Sequence, residues 1–361
     1  MKLVIWSDIQ FNNWLEFSTI LPNGFNSRFQ DQLDVQREIF EYSVELAKNY
    51  EVMLIHTGDL FESATEKIDK ALFLKVYEEF SKFSNEEIVT ILEVGNHDWI
   101  DRTETEHIIQ PFKKIPNILV VDEPMVQFVE DFALCFIPYT RNNFLGKIED
   151  LKNRCEQKNL VYKYLFTHQG INGAKTGPRD TPMKENYQER EFRPDIFDVI
   201  FNGHYHKMQI MGAGLIIVGS GLQKDFGERD VVKGFLVLDT VSHHLLHEET
   251  HGPKFYKMEI SEDSGVIVLP KGYCSRDFLW VVSEGIHEDK VKEILGEDKN
   301  FNPNNTRIEV VAPKVYKART SISVADPTED KLKKFIDYFE TDLDKEILLR
   351  RAIEKYQEAV A

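Results

Sequence analysis

Cysteine is scarce in this sequence: Cys135, Cys155 and Cys274 are the only three in 361 residues, an odd number, widely spaced. That excludes a disulfide framework and suits buried thiols in a reducing compartment. Long apolar runs are missing too. Nothing approaches the ~20 residues that cross a bilayer, and an acid arrives as early as Asp8, so neither a membrane span nor a signal peptide is expected and the expected location is cytoplasmic. Positive charge is in deficit, with 44 Lys and Arg against 61 Asp and Glu and a net charge of −17. This excludes indiscriminate coating of nucleic acid, because a polyanion is repelled unless positive charge gathers locally. Two segments do gather it. Lys175 to Lys233 holds nine basic and nine acidic residues, and "TRIEVVAPKVYKART" sets Arg307, Lys314, Lys317 and Arg319 against a single acid, Glu309. Each is either ordinary solvated surface or a place for a polyanion to lie.

What is present is ample apolar material, 42% of residues, enough for one large core and a smaller appended one. "KLVIWSD", "VMLIHTGD" and "IVTILEVGNHD" read as strands separated by stretches of helical periodicity, which implies parallel pairing with crossover helices. From about residue 118 the runs shorten ("ILVVD", "VQFVE", "FALCFIPYT") and look antiparallel. A helical stretch near 144 to 158 follows, then "YKYLFTHQG", "FDVIFNGHYH", "GLIIVGSG" and "GFLVLDT". The expected fold class is α/β, with two mixed sheets face to face and helices outside. After residue 254 the pattern changes to strand, short helix and strand. The expected domains are therefore 1–254, a small α+β capping domain over 255–325, and a helical hairpin over 326–361. That hairpin, with Leu332, Phe335, Ile336 and Phe339 on one face and Leu343, Ile347, Ile353 and Tyr356 on the other, either packs on its own domain or grips a partner.

Each predicted parallel strand ends in a polar cluster, and carboxyl ends of parallel strands are where sites are built. The clusters are Asp8 with Gln10, Gly58-Asp59, "GNHD" at 95 to 98, His168 in "FTHQG", and "GHYH" at 203 to 206. Singly each is weak, and a lone strand-end histidine is usually structural. Together they offer carboxylates, amides and imidazoles, a mixed oxygen and nitrogen set suited to Mn²⁺ or Fe²⁺. His204 and His206, two apart on an extended chain, would point the same way.

On "SDIQ", "GDLFE", "GNHD", "THQG" and "GHYH" the sequence resembles the calcineurin-like metallophosphoesterases. The motif order, the spacing and the added carboxy-terminal region resemble the DNA-repair nuclease branch typified by bacterial SbcD and its phage-encoded relatives. The resemblance implies a dinuclear centre of two Mn²⁺, with Mg²⁺ or Fe²⁺ as alternatives. Asp59 would bridge the ions, Asp8, position 10 and His206 would complete one site, and Asn96, His168 and His204 the other. It implies that His97 sits over the scissile phosphate, steadying charge and assisting the leaving oxygen. Asp98 either orients that imidazole or serves as a turn acid. The family has histidine where this chain has Gln10. The amide either ligates through its weaker oxygen, holds only a bound water, or marks a lost site.

The resemblance further implies a nuclease that is exonucleolytic on duplex ends and endonucleolytic on single strands. It implies a coiled-coil ABC ATPase partner of the SbcC type docking on the terminal hairpin, a homodimer through the nuclease domain, and backbone contacts to DNA from Arg307, Lys314, Lys317 and Arg319. A phosphatase or nucleotide phosphodiesterase on the same scaffold, or a non-catalytic platform recruiting the ATPase, are the competing readings.

Overall fold

The computed structural model describes residues 1–64, 69–212, 214–264, 267–312, 327–338 and 344–360. The chain divides into two units, Met1–Val310 and Val311–Ala361. In chain order the elements begin β1 (Lys2–Trp6), α1 (Ser27–Ala47), β2 (Val52–His56), α2 (Lys70–Phe83), β3 (Val89–Glu93) and β4 (Ile118–Val121). There follow β5 (Met125–Val129), β6 (Phe132–Ile137), α3 (Phe144–Glu156), β7 (Tyr162–Thr167), β8 (Lys175–Thr176), β9 (Thr181–Pro182), β10 (Val199–Asn202), β11 (Gln209–Met211) and β12 (Leu215–Ile217). The last are β13 (Gly234–Asp239), β14 (Leu245–Glu249), β15 (Phe255–Ser261), β16 (Phe278–Glu284), α4 (Glu288–Leu295), β17 (Thr306–Val311), α5 (Thr328–Tyr338) and α6 (Lys345–Val360).

Two six-stranded sheets run in the orders β14-β13-β1-β2-β3-β4 and β11-β12-β10-β7-β6-β5. Both are mixed. β1 to β4 are parallel with antiparallel β13 and β14 at one edge, and β6, β7, β10 and β12 are parallel with antiparallel strands at both edges. Because side chains alternate along a strand, each sheet buries two faces. Leu3, Ile5, Ile55 and Ile91 meet Phe136, Phe166 and Phe201 between the sheets. Val4, Trp6, Leu54 and Leu92 turn outward, where α1 and α2 cover them, and Cys135, Leu165 and Ile200 turn outward beneath α3. Burial on both faces explains the near-continuous apolar runs. Phe166 stacks between Phe136 and Phe201 at 5.0 and 5.3 Å, and its truncation to alanine would cost ~3–5 kcal/mol.

α1 starts at Asn26, whose side chain accepts from the backbone N–H of Arg28 and Phe29, and α2 at Asp69, which accepts from Ala71. Arg37 of α1 clamps Glu79 of α2 through two hydrogen bonds of 3.0 and 2.9 Å. One expectation fails: "ILVVD" looked antiparallel, but β4 lies parallel to β3. Periodicity reports which face a residue takes, not the direction of its strand. β15, β16 and β17 form a separate three-stranded sheet whose core, Ile260, Leu279 and Val281, is closed by Val291 and Leu295 of α4. In the second unit α5 and α6 are both helical as the periodicity predicts, while Phe339 and Leu343 lie outside the described residues. Among the described residues no helix is long and apolar enough to cross a membrane.

Candidate metal centre

The strand ends converge. Asp8 and Gln10 follow β1, Asp59 follows β2, Asn96 and His97 follow β3, His168 follows β7, and His204 and His206 follow β10. The loops after β1 and β2 continue side by side, with Asp8 N–H donating to Gly58 O and Gln10 N–H to Asp59 O, each at 3.1 Å. Asp8, Gln10, Asp59 and His204 all have left-handed φ, at 51°, 49°, 59° and 76°. Such non-glycine geometry costs roughly 1–3 kcal/mol each and persists only where surroundings over-determine it. The motif glycines permit close approach between site side chains. A Cβ on Gly95 would stand 2.2 Å from Asp59 Oδ1, and one on Gly58 would stand 2.4 Å from His168 Nδ1.

One group of donors is compact. Asp59 Oδ2 lies 3.2 Å from His168 Nε2, while Asn96 Oδ1 lies 3.1 Å from His168 Nε2 and 2.7 Å from His204 Nδ1. Ligand atoms placed around a small divalent cation at ~2.1 Å stand ~3 Å from one another, the spacing these three adjacent pairs show. His168 Nδ1 donates to Thr57 O at 2.6 Å, the arrangement that fixes a metal-binding imidazole and aims its other nitrogen into the site. A second group is more open. Asp8 Oδ2 accepts from Ser7 Oγ at 2.5 Å and from His204 N–H at 3.1 Å. Asp8 Oδ1 is buried, accepts no hydrogen bond among the described residues, and faces His206 Nε2 at 4.0 Å. An orphaned carboxylate oxygen in a buried site is what a cation would satisfy. Asp8, Asp59 and His168 place one ligand atom each within 4.8 Å of one another.

The charges of the cluster are strongly interdependent. Burial raises the Asp8 carboxyl, with the neighbouring Asp59 charge adding to it against His168. Burial also opposes the charge on Asp59, but His168, by charge and hydrogen bond, outweighs it with help from His97, and the carboxyl lies below its usual range. His168 feels the reverse: burial is overcome by the Asp59 and Asp8 charges and the ring is pushed up to about 10. Burial, then the charge on His168, lowers His204 to about 3 and keeps it neutral.

His97 donates its backbone N–H to Asp59 Oδ1 at 2.8 Å. Its ring Nε2 stands 3.8 Å from Asp59 Oδ2, and at 38% exposure it faces solvent where Asp59, at 2%, does not. Asp98 is fully buried beside the cluster. Its carboxylate accepts from the backbone N–H groups of Gly95 at 2.9 Å, Asp59 at 3.0 Å, Phe61 at 3.1 Å and Leu60 at 3.3 Å, tying the loop after β3 to the one after β2. Burial, then the Asp59 charge, pushes it up to about 7 against the Gly95 and Phe61 N–H groups. Gln10 reaches Asp59 Oδ2 with its amide nitrogen at 3.5 Å and turns its oxygen to Lys224 Nζ at 3.2 Å.

Sequence reasoning missed the residues behind the cluster. Glu228 Oε1 holds His206 Nδ1 at 2.7 Å, and its Oε2 pairs with buried Lys233 at 2.9 Å. Despite burial, the His206 hydrogen bond and the Lys233 charge lower Glu228 to about 2. Glu228 and Lys233 lie among six charged residues between "GSG" and the strand "GFLVLD", and nothing in that stretch singles them out. Of the basic residues, Arg307 is exposed on β17, its guanidinium 5.5 Å above the Trp280 ring, where Lys257 also sits at 4.8 Å. Lys314, Lys317 and Arg319 lie outside the described residues.

Residues 1–208, which carry every member of the cluster, match the calcineurin-like phosphoesterase family. The chain belongs to that family. Its members are metal-dependent hydrolases, and the buried carboxylates and imidazole supply the divalent-cation ligands that such chemistry needs. The SbcD subunit of the nuclease SbcCD from Staphylococcus epidermidis is 26% identical over 243 residues, 58% of this chain and 60% of that protein. The phosphoesterase-class protein 244L of Invertebrate iridescent virus 6 is 23% identical over 145 residues, 39% of this chain and 48% of that protein. The chain thus spans between about half and three fifths of the length of these curated relatives. A dimetal phosphatase from Danio rerio aligns over 70% of this chain and 97% of that chain, at 7% identity and a TM-score of 0.44.

Proposed function

We propose that the chain is a DNA nuclease that hydrolyses phosphodiesters at a centre of two Mn²⁺ ions. The observation that carries the reading is His97: an imidazole open to solvent directly above the buried Asp59 carboxylate, at 3.8 Å. Asp59, Asn96, His168 and His204 would hold one ion, and Asp8, His206 and the shared Asp59 the other. Two divalent cations so held supply Lewis acidity toward phosphoryl oxygens and toward water. The residues of the chain do the rest. Asp59 Oδ1 fixes the His97 backbone, His97 presents its ring to the departing oxygen as proton donor and charge stabiliser, and Asp98 keeps the Asp59 and Gly95 loops in register.

DNA is favoured as substrate by the similarity to a nuclease component and by the cationic ladder of Lys257, Trp280 and Arg307 on the small sheet. Stacked cations beside an aromatic ring suit backbone phosphates and unpaired bases. We assign residues 255–325 to DNA contact, through Arg307, Lys314, Lys317 and Arg319, and residues 326–361 to docking an SbcC-type ATPase. A dimer through residues 1–254 and a cytoplasmic setting complete the proposal. The test is cleavage of end-labelled linear duplex DNA across a Mn²⁺ titration, with Asp59→Asn as control. Digestion that requires Mn²⁺ and disappears in the variant is expected. Hydrolysis of small phosphoesters alone would move the chain to the phosphatases, and no hydrolysis of either substrate would make it a recruiting platform.

A further inference from the structure

Lys224 has no counterpart in the reading so far, yet it touches the centre. Its ammonium donates to Gln10 Oε1 at 3.2 Å and to both oxygens of Glu62 at 2.6 and 2.8 Å. Its backbone is pinned on both sides, with its N–H donating to Glu228 Oε2 at 2.8 Å and its carbonyl accepting from Arg28 Nη2 at 2.8 Å. The ammonium therefore has a fixed address beside Gln10.

That address dictates which way the Gln10 amide points. An ammonium has only donors and an ionised carboxylate only acceptors. An amide lying between Lys224 and Asp59 must turn its oxygen to the lysine and its NH₂ to the aspartate, as observed at 3.2 and 3.5 Å. The reverse orientation would set NH₂ against ammonium and oxygen against carboxylate. Swinging the side chain out to solvent is opposed by burial, since Gln10 is 3% exposed. The atom Gln10 offers to the centre is thus an amide nitrogen, which has no lone pair free to bind a cation.

The two halves of the centre are unequal in consequence. Around Asn96 Oδ1, His168 Nε2, His204 Nδ1 and Asp59 Oδ2, neighbouring donors stand 2.7 to 3.2 Å apart. On the other side Asp8 Oδ1 and His206 Nε2 are 4.0 Å apart, and the nearby Gln10 oxygen is taken up by Lys224, itself paired with Glu62.

We propose that Lys224 sets the affinity difference between the two metal positions: by holding the Gln10 oxygen away from the centre, it makes the Asp8–His206 position a weak, exchangeable one. The proposal rests on the dinuclear reading above. It makes Lys224 a positioning residue acting through Gln10, and it makes the second ion responsive to the free divalent-cation concentration.

The experiment is Mn²⁺ binding to the metal-depleted full chain, followed by calorimetry and by the electron paramagnetic resonance signal of spin-coupled Mn²⁺ pairs. Wild type, Lys224→Met and Lys224→Arg are compared, with circular dichroism confirming the fold of each. Wild type should bind one Mn²⁺ at least about ten-fold more tightly than the second, the scale of effects that outer groups exert on metal sites. Lys224→Met frees the Gln10 amide to turn, so it should narrow the gap at least about five-fold by tightening the weaker site, on the same scale. The coupled signal should then appear at lower Mn²⁺. Lys224→Arg, which keeps charge and donors, should retain the wild-type gap. Two sites of equal affinity in wild type, a measurement needing no variant, would overturn the role of Lys224 and leave the dinuclear reading standing. A gap unchanged in Lys224→Met would do the same. Failure of wild type to bind a second Mn²⁺ even at millimolar concentration would overturn the dinuclear reading itself.

Discussion

Replacing Glu228 by glutamine tests how His206 is prepared to bind a cation. The Glu228 carboxylate faces donors on both oxygens: Lys233 Nζ at 2.9 Å and Lys224 N–H at 2.8 Å on Oε2, and His206 Nδ1 at 2.7 Å on Oε1. A glutamine must keep its oxygen toward the ammonium and the backbone N–H, which leaves its NH₂ facing His206 Nδ1. That nitrogen must then accept. The ring proton moves to Nε2, the atom that faces Asp8 Oδ1 at 4.0 Å, and the lone pair that would meet a metal is lost. Loss of such an outer partner costs ~10–100-fold in metal affinity, here confined to the Asp8–His206 position. Stability falls as well, because Lys233, with a side chain 5% exposed, keeps a hydrogen bond but loses its counter-charge. Breaking a buried pair costs ~3–5 kcal/mol, and with the hydrogen bond retained the lower end, about 3 kcal/mol, is expected. Calorimetric Mn²⁺ titration reads the first effect, and urea unfolding of the metal-free protein reads the second, with a shifted midpoint at unchanged slope. A Glu228→Gln protein that binds both ions as wild type does and unfolds at the wild-type midpoint would refute the reasoning.

His97→Ala should slow DNA cleavage by ~10²–10⁴-fold, the span of general acid catalysis, while elemental analysis finds the wild-type metal content; lost metal would make His97 a ligand. Asp98→Asn should weaken Mn²⁺ binding, because an amide NH₂ would oppose one of the four backbone N–H groups that register the Asp59 loop, yet leave the pH dependence of cleavage unmoved. A shifted pH profile with intact metal binding would instead assign Asp98 to His97. Glu79→Gln tests the clamp between α1 and α2. Arg37, chiefly by hydrogen bonding, lowers Glu79 from 4.5 to about 2, so its stabilisation is complete above pH 4.5 and is lost as pH falls through about 2. With the Arg37 side chain 35% exposed, solvent screening reduces the expected cost of the substitution to about 1 kcal/mol at pH 7. The difference from wild type in urea midpoint should vanish near pH 2, and one that persists there would remove the ionic clamp from the account.

Much of the centre was legible because its chemistry is local. "SDIQ", "GDLFE", "GNHD", "THQG" and "GHYH" each put a donor within three residues of an apolar run, and the right-handed βαβ crossover brings successive parallel strand ends to one edge. The unbroken apolar runs in "KLVIW" and "FALCFI" likewise marked strands buried on both faces.

Relations between distant residues could not be read from the chain. The direction of β4 depends on its hydrogen bonds to β3, which leave no trace in periodicity. Asp98 reads as a turn acid or a partner for His97, and what its carboxylate meets depends on where the β2 loop places its N–H groups. Whether Gln10 offers oxygen or nitrogen to the centre is decided by Lys224, 214 positions away, and the tautomer of His206 by a carboxylate 22 positions on. A donor's identity is written in the sequence; its orientation is set by whichever charge the fold places against its other side.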